Sequence, residues 1–169
     1  MHCIKISFAE HFVIPVCTGM TFTDVGLNNK WIAKFLEEMI KFSMTENEIS
    51  YIVRGSIFNV YNALGPGLLE SAYEVALQYE IEKAGLFVQR QVSLPMYYEE
   101  ITVDVGYKLD LVIEKKVLVE IKSVEFILNV HHKQLLTYLK LSGYKLGLLV
   151  NFNTDNIADN IFRKAYGLY

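Results

Sequence analysis

Three charged residues interrupt two apolar stretches near the middle of the chain. Asp110 lies in the first stretch, Glu120 and Lys122 lie in the second, and a charged turn at 114–116 separates the two. Charged side chains are rarely buried unless they are paired or bind a metal. Their position within strands rich in Val, Leu and Ile therefore calls for a chemical explanation.

The register of the two strands depends on the length of this turn. A three-residue loop at 114–116 pairs Ile113 with Val117 and sets Asp110 opposite Glu120. A regular two-residue turn would shift the pairing by one residue and send the aspartate carboxylate to the other side of the sheet. We predict the three-residue loop.

With that register the three charged side chains converge, because Glu120 and Lys122 share one strand face and Asp110 joins them. Two convergent carboxylates suit a hard cation, magnesium or manganese. A lysine beside them can orient or help deprotonate water, or stabilise charge on a phosphate, which suits metal-assisted hydrolysis of a phosphodiester. The alternative is a cross-strand ion-pair cluster without chemistry, which is the usual meaning of an isolated Glu-x-Lys.

Composition describes an ordered, core-forming protein of 169 residues, 52% hydrophobic and 21% charged, which fits one domain with an appendage. No apolar run approaches the ~20 residues needed to cross a bilayer. The only cysteines of the sequence, Cys3 and Cys17, form no close pair, which argues against zinc, an iron–sulfur cluster or a disulfide framework. A cytoplasmic protein without membrane contact is the expectation.

The charge balance argues against a broad DNA-binding surface. The net charge is −3, and residues 44–169 carry 12 basic against 15 acidic residues. A nuclease is not excluded, because bound metal offsets clustered active-site acids. Any contact with nucleic acid would have to be local.

Residues 1–43 give little regular signal. The segment 12–23 has no sustained period, and 31–42 fits a short amphipathic helix. Met44 begins a segment typical of a natural protein start. We therefore expect 1–43 to be a dispensable extension and 44–169 to be the main domain.

The segment 44–169 predicts alternating helices and strands. Thr45 and Glu48 form a capping box before an apolar pattern of helical spacing, which Gly65-Pro66-Gly67 ends at Leu64. The other expected elements, in chain order, are a helix 68–84 with an inward stripe of Leu69, Ala72, Tyr73, Ala76, Leu77 and Ile81, a strand 87–94, a hairpin at 97–101, a long strand 101–113 with Asp104 on the surface, a loop 124–130, a helix 131–142 packed through Leu135, Leu136 and Leu139, a buried parallel strand 145–152 and a closing helix 156–166.

Further polar residues occupy the two middle helices. Glu70 lies in the first turn of its helix, where the helix dipole alone accounts for a carboxylate. Gln134 and Tyr138 lie one turn apart on one face. They fit a contact with phosphate, a contact that steadies Lys122, or an ordinary helix edge. The adjacent His131 and His132 cannot point the same way on a helix, so a metal pair there is not expected.

The order helix, three antiparallel strands, helix, strand resembles the core of the PD-(D/E)XK nuclease superfamily. Gly67-Leu-Leu-Glu70-Ser-Ala-Tyr73 resembles the signature of its GxxExxY family, Asp110 with Glu120-Ile-Lys122 resembles the acid…acid-x-lysine element, and Gln134-Leu-Leu-Thr-Tyr138 resembles the Gln-x-x-x-Tyr helix of RecB-like nucleases. Leu109 stands where the superfamily usually has proline. The resemblance implies an α/β fold, a restriction-endonuclease-like αβββαβ core with a mixed sheet flanked by helices.

The resemblance also implies roles for individual residues. Asp110 and Glu120 would bind Mg²⁺ or Mn²⁺ directly, Glu70 would complete the site through water, and Lys122 would position or activate the attacking water. Gln134 and Tyr138 would be accessory. The implied function is a metal-dependent nuclease acting on DNA in repair, defence or mobile-element processing. A catalytically silent or partner-dependent binding module of the same fold is the alternative, and a protein partner or homodimer is compatible with both.

Overall fold

A computed structural model describes residues 3–8, 12–17, 34, 44–103 and 106–167. The chain divides into two compact units, Met1–Ser43 and Met44–Tyr169. In the first, strands β1 (Cys3–Phe8) and β2 (Phe12–Cys17) pair antiparallel. Most of the predicted helix 31–42, and Asp104, lie outside the described residues.

The second unit contains helices and strands arranged as layers. Its elements are α1 (Glu46–Leu64), α2 (Glu70–Lys83), β3 (Val88–Ser93), β4 (Met96–Tyr98), β5 (Ile101–Val103), β6 (Lys108–Ile113), β7 (Val117–Lys122), α3 (Asn129–Ser142), β8 (Leu146–Asn151), a 3₁₀ turn (Ile157–Asn160) and β9 (Ile161–Ala165). This is the mixed α/β architecture predicted from the sequence.

The central sheet has five strands in the order β3-β6-β7-β8-β9. Neighbouring strands run antiparallel except for β7 and β8, which are parallel and are connected through α3. Helices α1 and α2 cover one face and α3 covers the other, because the buried side chains form two clusters on opposite sides of the sheet. Every residue of β8 is buried, as expected for a parallel strand covered on both faces.

Helix α1 begins as predicted. The Thr45 hydroxyl accepts a hydrogen bond from the Glu48 backbone, and the Glu48 carboxylate accepts one from the Thr45 backbone. These two bonds satisfy amides that the first turn leaves without partners. Ile49, Val53 and Ile57 are fully buried, so the helical spacing of apolar residues identified the inward face correctly.

The predicted closing helix 156–166 is wrong. The 3₁₀ turn Ile157–Asn160 leads instead into β9, which pairs antiparallel with β8. Without β9, β8 would be an edge strand with unpaired backbone groups, and pairing satisfies them. Tertiary context therefore overrides the local helical pattern.

The predicted long strand 101–113 is also wrong. Within the part of the chain that the structure describes, Ile101–Val103 pairs with Met96–Tyr98 alone, in the predicted hairpin, and the sheet strand begins at Lys108. Gly106 has a φ of +68°, a left-handed conformation that does not belong to a continuous strand. The hairpin therefore lies outside the five-stranded sheet.

Three predicted core positions are exposed. Leu69 is the N-cap residue of α2 and is 77% exposed, and Ala72 is exposed too. Helix α3 begins before the predicted residue 131. Its Leu136 is exposed, whereas Leu135 and Leu139 are buried. Within the described residues, none of the helices combines the length and apolarity that crossing a membrane requires.

Candidate active site

The predicted register of β6 and β7 is confirmed. Ile113 lies opposite Val117, and the recorded pairing continues to Leu111 opposite Val119. Beyond that pair the Asp110 carboxylate, through Oδ2, accepts the backbone N–H of Ile121 at 2.8 Å. A side chain therefore takes the place of a backbone carbonyl where the acidic residues begin.

Glu120 and Lys122 lie together on β7. Lys122 Nζ donates to Glu120 Oε1 at 2.6 Å, and Glu120 is only 2% exposed. Glu120 Oε2 is buried without a hydrogen-bond partner. An unsatisfied carboxylate oxygen in this position is costly unless a proton or a cation accompanies it.

The electrostatics of this group follow from burial and crowding. Burial and then the Asp110 charge raise the pKa of Glu120, Lys122 opposes the rise, and the net result is a pKa of about 7. Burial also raises the pKa of Asp110, against the Ile121 N–H and Lys122, and the charge of Glu70 adds to the rise. Both carboxyl groups therefore hold a proton more tightly than an exposed acid does.

The pKa of Lys122 is raised, whereas the pKa of an ordinary buried amine is lowered. Burial by itself lowers its pKa, but the Glu120 carboxylate and then those of Asp110 and Glu70 outweigh burial and raise it. The Lys122 ammonium is therefore protonated throughout the physiological range.

Glu70, the first residue of α2, joins the group from the neighbouring helix. Its Oε1 accepts the backbone N–H of Ser123 at 3.1 Å, and the Ser123 hydroxyl donates to the Leu68 carbonyl at 2.6 Å. These two bonds fasten the start of α2 to the end of β7. The position of Glu70 is thus set by the contact with Ser123, the residue that follows β7, as well as by the helix terminus.

Tyr73 stabilises the turn before α2. Its hydroxyl donates to the Gly65 carbonyl at 2.7 Å and accepts the Leu68 N–H at 3.1 Å. The ring is fully buried and stacks on Phe152, with 4.3 Å between centroids. The Gly-x-x-Glu-x-x-Tyr spacing therefore places an acid beside β7 and a tyrosine under the turn that presents it.

Gln134 and Tyr138 hydrogen-bond to each other, with 2.8 Å from Nε2 to the hydroxyl. Burial raises the pKa of Tyr138, the bond from Gln134 lowers it, and the Glu120 charge raises it again. The carboxylate charge of Glu120 therefore acts on Tyr138. Neither Gln134 nor Tyr138 hydrogen-bonds Lys122.

The two histidines have local contacts. His131 Nδ1 accepts the Leu128 N–H at 3.1 Å at the start of α3, and His132 packs edge-on against Phe162 at 4.9 Å. Burial lowers the pKa of His132, as does the charge of Lys164. The two rings therefore contact different parts of the fold.

Sequence reasoning gave no functional role to Glu74 and missed Arg90 and Gln91, which adjoin the acidic group. Gln91 Nε2 donates to Glu74 Oε2 at 2.8 Å, and the Gln91 side chain also hydrogen-bonds Asp110. Arg90 Nε lies 3.0 Å from Glu74 Oε1. Glu74 follows Glu70 by one helical turn, a spacing that could have drawn attention to it, but the sequence carries no sign of the role of Gln91.

The side chains present fit a hard divalent cation in their chemistry. Asp110 and Glu120 carry the carboxylate oxygens that such an ion prefers, and Oε2 of Glu120 is buried without a hydrogen-bond partner. Among the residues that the structure describes, no group of three or more His, Cys, Asp and Glu side chains is arranged to hold a metal ion. The fit therefore concerns two carboxylates, with Glu70 nearby.

Comparison with protein-family models identifies residues 47–164 as PD-(D/E)XK nuclease superfamily. Searches of curated proteins and of solved structures found no match. The matched range contains all the acids described above, the lysine, and the sheet that positions them. The match extends over well more than half of the chain, which therefore belongs to the PD-(D/E)XK nuclease superfamily.

Proposed function

We propose that this protein is a Mg²⁺- or Mn²⁺-dependent nuclease that hydrolyses phosphodiester bonds of DNA. The observation that carries the proposal is the buried Glu120 carboxylate, with one oxygen bound by Lys122 and the other without a partner, beside Asp110. We infer that the chain is a GxxExxY member of its superfamily, that 44–169 carries the activity, and that it acts in the cytoplasm in repair, defence or mobile-element processing.

In this proposal Asp110 and Glu120 bind the ion directly and Glu70 contributes through water. The ion, when bound, would supply positive charge to polarise the scissile phosphate and stabilise the leaving oxygen. Nucleases of this superfamily typically use divalent metals. The carboxylates of this chain supply the hard oxygen ligands that such ions prefer.

Lys122 acts as a charged donor. Because neighbouring carboxylates raise its pKa despite burial, it keeps its proton at neutral pH. It can then orient a water molecule or stabilise negative charge on the phosphate. Removing a proton from water is the less suitable role for it.

Gln134 and Tyr138 are accessory in this proposal. The Gln134 amide donates to the Tyr138 hydroxyl, which leaves that hydroxyl able to donate in turn. A phosphate oxygen is a suitable acceptor for it. These residues would orient substrate near the carboxylates.

The experiment that tests the proposal measures degradation of plasmid and single-stranded DNA with Mg²⁺ or Mn²⁺. Asp110→Asn and Lys122→Ala are expected to lower the rate by about 100-fold or more, as loss of one transition-state contact commonly does. Glu82→Gln, a neutralised acid on the exposed surface, is the control and should cleave like wild type. Cleavage by Asp110→Asn at the wild-type rate would contradict the proposal.

A second candidate is a catalytically silent or partner-dependent module that keeps the fold and binds nucleic acid or protein. The 2.6 Å contact between Lys122 and Glu120 favours it, because such a pair also exists as an ordinary buried salt bridge. Identical traces from wild type and the two variants, with every substrate and metal, would favour this module. A homodimer or a protein partner that supplies positive charge fits either candidate.

A further inference from the structure

Gln91 has a backbone conformation that its neighbours in β3 do not share. Its φ is +53°, in the left-handed region that non-glycine residues rarely adopt. The pairing of β3 with β6 records Arg90 opposite Leu111 and Val92 opposite Leu109, and omits Gln91 and Asp110 between them. The unusual residue therefore faces the proposed metal ligand.

The conformation directs the Gln91 amide into the acidic group. Nε2 donates to Glu74 Oε2 at 2.8 Å, and the side chain also hydrogen-bonds the Asp110 carboxylate. Asp110 is thus held from two directions, by Gln91 on β3 and by the Ile121 N–H on β7. Hydrogen bonds from two strands restrain the rotation of the Asp110 carboxylate.

Glu74 anchors the amide from the helix side. It is only 8% exposed, and its other oxygen lies 3.0 Å from Arg90 Nε. Arg90 and Gln91 are adjacent on β3, so both oxygens of Glu74 face the same short segment. The segment that carries the left-handed residue is therefore held against α2.

We propose that Gln91 is a positioning residue that orients the Asp110 carboxylate, with Glu74 as its anchor. The inference rests on the proposed function only in taking Asp110 as a metal ligand. Residues that hydrogen-bond a metal ligand fix its orientation and strengthen metal binding. Unfavourable backbone conformations are retained where function requires them, which explains glutamine at a position that glycine would fit more easily.

The test replaces Gln91 with glycine, which relieves the left-handed strain and removes the amide. Lys115→Gly is the matched control, because Lys115 has the same φ of +53° and its exposed side chain lies in the turn between β6 and β7. Lys115→Gly of the full-length protein is expected to keep or raise the unfolding temperature. In Gln91→Gly the relief of backbone strain is opposed by the loss of the hydrogen bond to the buried Glu74. If Gln91 had only a structural role, the two variants would differ in unfolding temperature but not in the two readouts below.

The first readout uses the metal-free protein. Hydrogen exchange at the Ile121 amide reports on Asp110, because that N–H donates to Oδ2. Gln91→Gly is expected to speed this exchange about tenfold, since a bond to a charged acceptor is weakened. Lys115→Gly should leave the rate unchanged, and an unchanged rate in Gln91→Gly would overturn the inference.

The second readout is Mn²⁺ binding by calorimetry. Gln91→Gly is expected to bind Mn²⁺ at least about tenfold more weakly than wild type, as loss of a group behind a metal ligand commonly does. Equal affinity in Gln91→Gly and Lys115→Gly would refute the positioning role. If wild type itself bound no Mn²⁺, the proposed function would fail, while Ile121 exchange would still decide the role of Gln91.

A second variant tests the anchor. Glu74→Gln keeps an oxygen that can accept from Gln91, whereas Glu74→Ala removes it. Ile121 exchange should therefore be faster in Glu74→Ala than in Glu74→Gln. The same rate in both would show that Gln91 does not depend on Glu74.

Discussion

Replacing Glu120 with glutamine should change how the stability of the metal-free protein depends on pH. Burial and the Asp110 charge raise the pKa of Glu120 from 4.5 to about 7. A tenfold change in proton affinity corresponds to about 1.4 kcal/mol, so this rise corresponds to about 3 kcal/mol. The carboxylate is almost fully buried, so little of this is lost to screening by solvent.

The direction follows from proton linkage. Below pH 4.5 Glu120 is protonated in both the folded and the unfolded chain, so the folded state carries no penalty for a buried charge at this position. Between pH 4.5 and 7 the folded chain binds the proton more tightly, so the free energy of unfolding falls as pH rises. Above that window the loss of about 3 kcal/mol is complete. Glutamine does not titrate, so Glu120→Gln should lack this fall.

Urea unfolding followed by far-UV circular dichroism, in EDTA, measures the difference. The stability of Glu120→Gln relative to wild type should increase by about 3 kcal/mol between pH 4.5 and 8. The exposed control Glu82→Gln should remain parallel to wild type. If Glu120→Gln were also parallel to within about 1 kcal/mol, the account of a buried, destabilised carboxylate would be refuted.

Two further predictions concern the contacts that support the site. Gly147→Ala places a Cβ 2.8 Å from Cδ1 of Leu135, so the free energy of unfolding measured in urea should fall by about 1–3 kcal/mol. Adding Leu135→Val should recover part of this loss. An unchanged free energy of unfolding would mean that α3 can move away from β8. Tyr73→Phe removes both hydrogen bonds of the buried hydroxyl and should lower the free energy of unfolding by about 1–3 kcal/mol. Tyr79→Phe, on the exposed side of α2, is the control and should cause no measurable loss. Equal stabilities of the two variants would show that the turn before α2 does not need the Tyr73 hydroxyl.

The parts of the fold that were predictable are those in which local rules decide the outcome. The capping box at Thr45 fixed the start of α1, and the continuous apolar run identified β8 as a parallel strand. The three-residue turn at 114–116 fixed the register of β6 and β7. In each case the residues that carry the signal lie within a few positions of the structure they specify.

The parts that were not predictable depend on distant contacts. Whether Ile161–Ala165 forms a strand depends on the edge of β8, since its own sequence also permits a helix. Leu69 is exposed because α2 begins after it, which apolar spacing does not reveal. Gln91 matters through a backbone angle and two partners on other elements, so no local pattern marks it.

The charge count in this group argues for a cation more strongly than any one distance does. A cluster that served only as an ion pair would match one acid with one base, but Lys122 is influenced by the carboxylates of Glu120, Asp110 and Glu70 together. The excess negative charge adds to the effect of burial in raising the pKa of both acids, and the single positive charge of the Lys122 ammonium does not offset it. A divalent ion would remove the repulsion and occupy the unpaired Glu120 oxygen. We therefore expect the crowding that destabilises the metal-free domain at neutral pH to favour the metal binding that we propose.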